Sequence, residues 1–152
     1  MAEVSLRPMR DDEFSDWTVA HQREYVRGMV EYAGLSQDAA QAKAERDVAA
    51  VLPDGLATQG TRLWVVETDG RQVGTVFLGL REGGAWLYDI TIDERDRGRG
   101  YGRAAMTALE DEVRSLGFDG IGLNVWGGNA VARGLYLSLG YAEESVHMRK
   151  PV

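Results

Sequence analysis

Arg97, Gly98, Arg99, Gly100, Tyr101 and Gly102 lie between an apolar run ending at Ile92 and a helical pattern that begins near Arg103. Glycine lets backbone N–H groups approach an anion without interference from a Cβ, and the first turn of a helix carries about half a positive charge. Arginines 95, 97, 99 and 103 add full charges on a chain whose formal net charge is -7. This island of positive charge suits one small polyanion, above all a pyrophosphate, and points to a phosphorylated cofactor. Two familiar phosphate sites are excluded. The dinucleotide fingerprint G-x-G-x-x-G requires glycine where Arg103 stands, and a phosphate loop requires a Gly-Lys-Ser/Thr that does not follow.

Composition narrows the remaining chemistry. The chain has no cysteine, which excludes disulfides, thiolate metal sites and a cysteine nucleophile together, and its two histidines, His21 and His147, are far apart in sequence. No metal site is therefore expected. An acidic average argues against a nucleic-acid surface, which needs clustered Lys and Arg. No apolar run approaches the roughly 18 residues of a membrane span, and the first residues lack a secretory pattern, so no membrane partner and a cytoplasmic location are expected.

The elements that must position the glycine turn follow from periodicity. A length of 152 residues fits a single domain, residues 1–152, with a sizeable core. Val4 and Leu6 alternate as a short strand, and Asp11 or Asp12 is the expected N-cap of a helix carrying Phe14, Trp17, His21, Tyr25, Met29 and Tyr32 at helical spacing up to Gly34. That stripe, His21 included, reads as core. Ser36 caps a second helix with a narrow seam of Ala40, Ala44, Val48 and Leu52. Strands then run from Leu63 to Thr68, Gln72 to Leu80 and Ala85 to Ile92, with Asp69-Gly70 as a strong hairpin signal. After the glycine turn comes a helix with Leu109, Val113 and Leu116 on its buried side, closed by Gly117. A strand at Ile121, Leu123 and Val125, a short helix from Asn129 to Leu139 and a last strand from Tyr141 to Arg149 complete the expected order.

A second segment, later in the chain, carries a distinctive spacing of its own. Arg97-Gly98-Arg99-Gly100-Tyr101-Gly102 matches R/Q-x-x-G-x-G/A, and Asn129-Ala130-Val131-Ala132-Arg133-Gly134-Leu135-Tyr136 through Gly140-Tyr141 matches N-x-x-A-x-x-L-Y-x-x-x-G-Y/F. In these two ordered segments the chain resembles the GCN5-related N-acetyltransferase (GNAT) superfamily, and its layout is most like small bacterial acetyltransferases of unassigned substrate. The resemblance implies a mixed α/β fold with a central, mostly antiparallel sheet of six or seven strands, helices on both faces, and fourth and fifth strands that splay to admit acetyl-coenzyme A.

It further implies roles residue by residue. Backbone amides of Gly98, Gly100, Tyr101 and Gly102, with Arg97 and Arg99, would hold the pyrophosphate. Ile90, Thr91 and Ile92 would run beside the pantetheine arm, and Asn129 and Arg133 would complete the coenzyme site. A backbone N–H near Ile90 or Thr91 would polarise the thioester carbonyl, an effect typically worth about 3 kcal/mol per donor. Tyr136 would donate a proton to the departing thiolate.

The acceptor side is less determined. An alkyl amine is almost wholly protonated at neutral pH and must lose a proton before attack, for which Asp89, one residue before the pantetheine segment, is the candidate. Glu24, Glu31 and Tyr88 are further groove candidates. The expected reaction is direct acetyl transfer to an amine through a tetrahedral intermediate. Alternatives on the same fold are a non-catalytic acyl-coenzyme A sensor, or transfer of a longer acyl chain or to a hydroxyl. Small amines, polyamines, amino acids, antibiotics, peptides and protein lysines all stay open as acceptors, and homodimers are frequent among such proteins.

Overall fold

In the computed structural model, which describes residues 1–152, the chain runs β1 (Ser5–Pro8), α1 (Asp11–Ala33), α2 (Gln37–Val51), β2 (Thr61–Thr68), β3 (Arg71–Arg81), β4 (Gly84–Ile92), α3 (Tyr101–Ser115), β5 (Ile121–Leu123) and α4 (Ala130–Ser138). One five-stranded sheet has the order β1-β2-β3-β4-β5. Its first four strands are antiparallel, and β5 joins β4 in parallel.

Local sequence explains most of this order. Asp69 and Gly70 both take left-handed backbone, with φ of 50° and 72°, which gives the β2–β3 turn a twist matching its strands. Ser36 accepts the Ala39 N–H at 3.2 Å and starts α2. Gly34 ends α1 at φ 69°.

The sheet separates two cores. On one face Val66, Val73, Val76, Leu78, Ala85 and Leu87 pack against Ala105, Met106, Leu109 and Val113 of α3, with Tyr136 and Leu139 of α4 at the margin. On the other, Leu63, Val65 and Phe77 meet Trp17 of α1. Val26 and Met29 of α1 bury Ala40 and Ala44 of α2, where small side chains allow close helix packing.

Two expectations are corrected. The N-cap of α1 is Arg10, not Asp11 or Asp12: the Glu13 carboxylate accepts the Arg10 N–H at 2.8 Å and is itself held by Arg7, so the two aspartates lie inside the first turn. The sheet has five strands instead of six or seven, because Tyr141 to Arg149 forms no strand. A strand needs a partner edge, and β5 is only three residues long, bounded by Gly120 and by the loop holding Gly127 and Gly128. Beyond the Tyr141 N–H bond to the Tyr136 carbonyl, no backbone ladder forms, and Val146 and Met148 stay exposed.

Candidate active site

A bulge in β4 decides which side chains share the site. Leu78 pairs with Leu87 but the next residue back, Phe77, pairs with Asp89, so Tyr88 is an extra residue on β4. Leu87 and Ile90 face the α3 core, whereas Tyr88 packs on the α1 side with Phe77 at 4.8 Å between ring centroids. Regular alternation would bury Asp89 against α3. The bulge instead turns both Tyr88 and Asp89 toward α1.

Asp89 consequently sits among polar partners. The Thr91 hydroxyl donates to its Oδ2 at 2.9 Å, and Nδ1 of His21 lies 3.7 Å from the same oxygen. His21 is held between the rings of Trp17, at 4.8 Å, and Tyr25, at 6.2 Å, with its edge toward Phe77. Tyr25 turns its hydroxyl away to Asp47 at 2.7 Å.

Tyr136, on α4, packs against the α3-side core, on the other face of the sheet from Trp17 of α1. Burial, with a contribution from the Asp89 charge, pushes its phenol up to about 12. The ring stands edge-on to Tyr141 at 5.8 Å. Its hydroxyl enters no hydrogen bond, and since no buried polar side-chain atom lacks a partner, that oxygen must reach accessible space. A core tyrosine kept for packing would have its hydroxyl satisfied. This one holds its proton firmly and has a free donor.

Beyond Leu87 and Leu123 the pairing of β4 with β5 stops, while β4 continues to Ile92. The expected parting of these two strands is therefore present, and the β5-side backbone groups of residues 88–92 have no strand partner. At the end of this opening lies the glycine turn. Gly98 and Gly100 take φ of 75° and 84°, and Gly100 is the N-cap of α3. A side chain at Gly98 would meet nothing within 4 Å, so the turn is open. The α4 helix closes in from the side: a Cβ at Gly102 would stand 3.6 Å from Leu135 and 3.9 Å from Ile92.

A buried carboxylate fixes that turn from behind. Asp96, 2% exposed, accepts two bonds from the Arg71 guanidinium on β3, both at 2.9 Å, and lies 3.5 Å from Arg95. Those charges hold its carboxyl below the usual range. Sequence reasoning missed this pair, although an acid directly before an arginine-glycine run was a visible signal.

Several predicted ligands are engaged with the protein itself. Arg97 donates through Nε to the Ile92 carbonyl at 3.0 Å, bracing the end of β4, and Arg103 reaches Ser138 of α4 at 2.7 Å. Arg99 instead lines a cavity of about 580 Å³ with Tyr101, Glu67 and residues 1–5. Asn129 caps α4 by accepting the Ala132 N–H at 3.2 Å. Arg133 donates to the Gly127 carbonyl and pairs with Glu143, which steadies the loop before α4.

Of the residues expected to face an acceptor, Glu24 is exposed and pairs with Arg27, apart from the Asp89 group, and Glu31 is exposed too. The Tyr88 hydroxyl accepts from Arg81 at 2.8 Å, whose guanidinium lies over both Trp86 and Tyr88. Further along α1, Tyr32 stacks on Trp126 at 6.2 Å, and a Cβ at Gly28 would stand 2.7 Å from Trp126 Nε1. The absence of a side chain at Gly28 thus lets the β5–α4 loop close on α1.

Comparison with known proteins agrees with this geometry. The Acetyltransferase (GNAT) family matches residues 9–141. The uncharacterized N-acetyltransferase YycN of Bacillus subtilis is 29% identical over 152 residues, covering 97% of each chain, and YdgE of the same organism is 24% identical over 96% of each. The crystal structure of YycN superposes with a TM-score of 0.94 over 98% of both chains at 28% identity. The structure of AAC(6')-Iy with the bisubstrate analog CoA-S-monomethyl-acetylneamine shares the fold, at a TM-score of 0.59 and 17% identity, over 99% of this chain and 100% of that one.

Proposed function

The chain belongs to the acetyltransferase (GNAT) family, and from that premise we propose that it transfers an acetyl group from acetyl-coenzyme A directly to an amine, with Tyr136 as general acid. The observation that carries this reading is the free, high-pKa hydroxyl of Tyr136, near enough to Asp89 to feel its charge, on a helix whose Leu135 closes against Gly102 of the glycine turn. The residues fit the coenzyme. Amides of Gly98, Gly100, Tyr101 and Gly102 at the start of α3 would take the pyrophosphate, supported by Arg99 and the helix dipole. The edge of Ile90, Thr91 and Ile92 that faces away from β3, apart from the Ile92 carbonyl held by Arg97, would hydrogen-bond the pantetheine amides as a neighbouring strand would. Arg97, Asn129 and Arg133 would act mainly by fixing the turn and the α4 loop around the coenzyme. The AAC(6')-Iy complex, a coenzyme A conjugate on the same fold, supports the same ligand class here.

In the reaction, a deprotonated amine attacks the thioester carbonyl carbon and forms the C–N bond. The tetrahedral oxyanion gains from a backbone N–H near Ile90 or Thr91, and its collapse breaks the C–S bond as Tyr136 gives its proton to sulfur. Asp89 supplies negative charge on the acceptor side, and Tyr88 forms part of that wall. The absence of cysteine agrees with transfer that forms no acyl-enzyme thioester.

The test is thiol release from acetyl-coenzyme A against a panel of amines, with Gly100→Glu alongside. Turnover with one acceptor class, lost in Gly100→Glu together with coenzyme binding, supports the transferase. Coenzyme binding by calorimetry without turnover on any amine or alcohol would overturn it in favour of a sensor.

A further inference from the structure

The structure joins two residues from separate elements on the side of β4 away from Tyr136. His21 comes from α1 and Asp89 from the bulge of β4, and they meet through Nδ1 and Oδ2 at 3.7 Å. Resting on the acetyl-transfer reading, we propose that His21 is the catalytic base that takes the proton of the acceptor ammonium, with Asp89 as its orienting partner.

Three features support this division of labour. Asp89 Oδ2 already accepts the Thr91 hydroxyl at 2.9 Å, so the carboxylate is fixed in place and shared. A carboxylate, with a reference pKa near 4, is a poor match for an ammonium near 10, whereas an imidazole, near 6.5, lies closer to the optimum for accepting a proton at neutral pH. His21 also has a nitrogen to spare. Its side chain is only 10% exposed, yet neither ring nitrogen makes a hydrogen bond and no buried polar atom lacks a partner, so both nitrogens open onto accessible space.

The tautomer follows from the pairing. Asp89 beside Nδ1 favours the proton there, which leaves the Nε2 lone pair as acceptor. The separation of 3.7 Å exceeds a hydrogen bond, and such contacts commonly shorten when substrate arrives. Stacking on Trp17 and Tyr25, with Phe77 at the edge, keeps the imidazole plane fixed. Asp89 is the charged group facing the ring. Tyr25 is committed to Asp47, and Trp17 and Phe77 carry no charge.

The proton balance is complete. An N–H proton of the ammonium passes to His21, and the freed lone pair forms the C–N bond. As the C–S bond breaks, Tyr136 protonates the sulfur. The surplus proton on the new amide nitrogen restores Tyr136, and His21 discharges its own to solvent. Acid and base thus stand on opposite elements, α4 and α1, with Asp89 between them.

The experiment compares His21→Phe, which keeps the aromatic stack, with His21→Ala, which opens a space for added imidazole. The probe is thiol release with the best amine of the panel, beside coenzyme binding by calorimetry. Both variants are expected to lower kcat by about 100-fold or more, in the range of general-base catalysis, with coenzyme affinity unchanged. Imidazole at tens of millimolar should restore His21→Ala and leave His21→Phe inactive. Wild-type kcat in His21→Phe, or a loss in His21→Ala that imidazole does not relieve, overturns the assignment of His21 while leaving acetyl transfer intact. Absence of turnover in the wild type removes both.

Discussion

Replacing Tyr136 by phenylalanine deletes one oxygen and separates catalysis from stability. The ring remains in its place beside Tyr141 and the α3 core, so the packing that buries it is kept. The hydroxyl has no protein partner, so no hydrogen bond is lost. Removing a hydroxyl bonded within the protein ordinarily costs about 0.5–1.5 kcal/mol, but one that meets only solvent costs little to remove, and stability should stay within about 0.5 kcal/mol. For a domain of this size that is a Tm change of no more than about 2 °C.

Activity should respond very differently. General-acid catalysis typically contributes 10²–10⁴-fold, which at about 1.36 kcal/mol per decade is roughly 2.7–5.5 kcal/mol of transition-state stabilisation. The expected result is therefore a kcat lower by at least 100-fold, a melting temperature indistinguishable from wild type and an unchanged affinity for coenzyme. Steady-state thiol release and calorimetry on the same preparations measure all three. A kcat within threefold of wild type would refute the role of Tyr136, and a Tm lower by 5 °C or more would show that its hydroxyl serves the core.

Gly100→Ala should lower stability by about 1–2 kcal/mol, read by thermal melting, because its φ of 84° is unfavourable to any side chain while the nearest atom, Ala2 Cβ at 3.7 Å, leaves room for a methyl group. An undiminished Tm would mean that the turn relaxes at no cost. Gly28→Leu should expel Trp126, whose Nε1 would lie 2.7 Å from the new Cβ, and cost about 1–3 kcal/mol of stability. A red shift of tryptophan fluorescence and a lower Tm report it. Glu13 is held at about 2 instead of its usual 4.5, chiefly by the Arg7 guanidinium. A carboxyl whose folded pKa is depressed adds stability above the unfolded value, and that part is lost as pH falls from about 4.5 to 2. Glu13→Gln should therefore be less stable than wild type at pH 6 and converge with it near pH 2 in denaturant titrations.

Sequence alone determined the features that depend on neighbours in the chain. Asp69-Gly70 specifies a turn through backbone conformation, Ser36 supplies a cap within three residues, and the glycines of residues 98–102 specify an open turn before α3 because their lack of Cβ is a local property. The period of Leu109, Val113 and their neighbours placed α3, and two ordered segments pointed to the family. Features that depend on contacts between distant residues were decided by the tertiary structure. The β4 bulge turns Asp89 from the α3 core to α1, because pairing with β3 sets which face each residue takes and a single extra residue reverses it. His21 reads as core from its helical stripe and becomes a partner of Asp89 only across 68 positions of sequence. Arg97 and Arg103 read as ligands from their charge and Arg133 from the family resemblance, yet their donors go to Ile92, Ser138, Gly127 and Glu143. Val146 and Met148 alternate like a strand but have no edge of sufficient length within this chain, because a strand is completed by its partner and not by its own pattern.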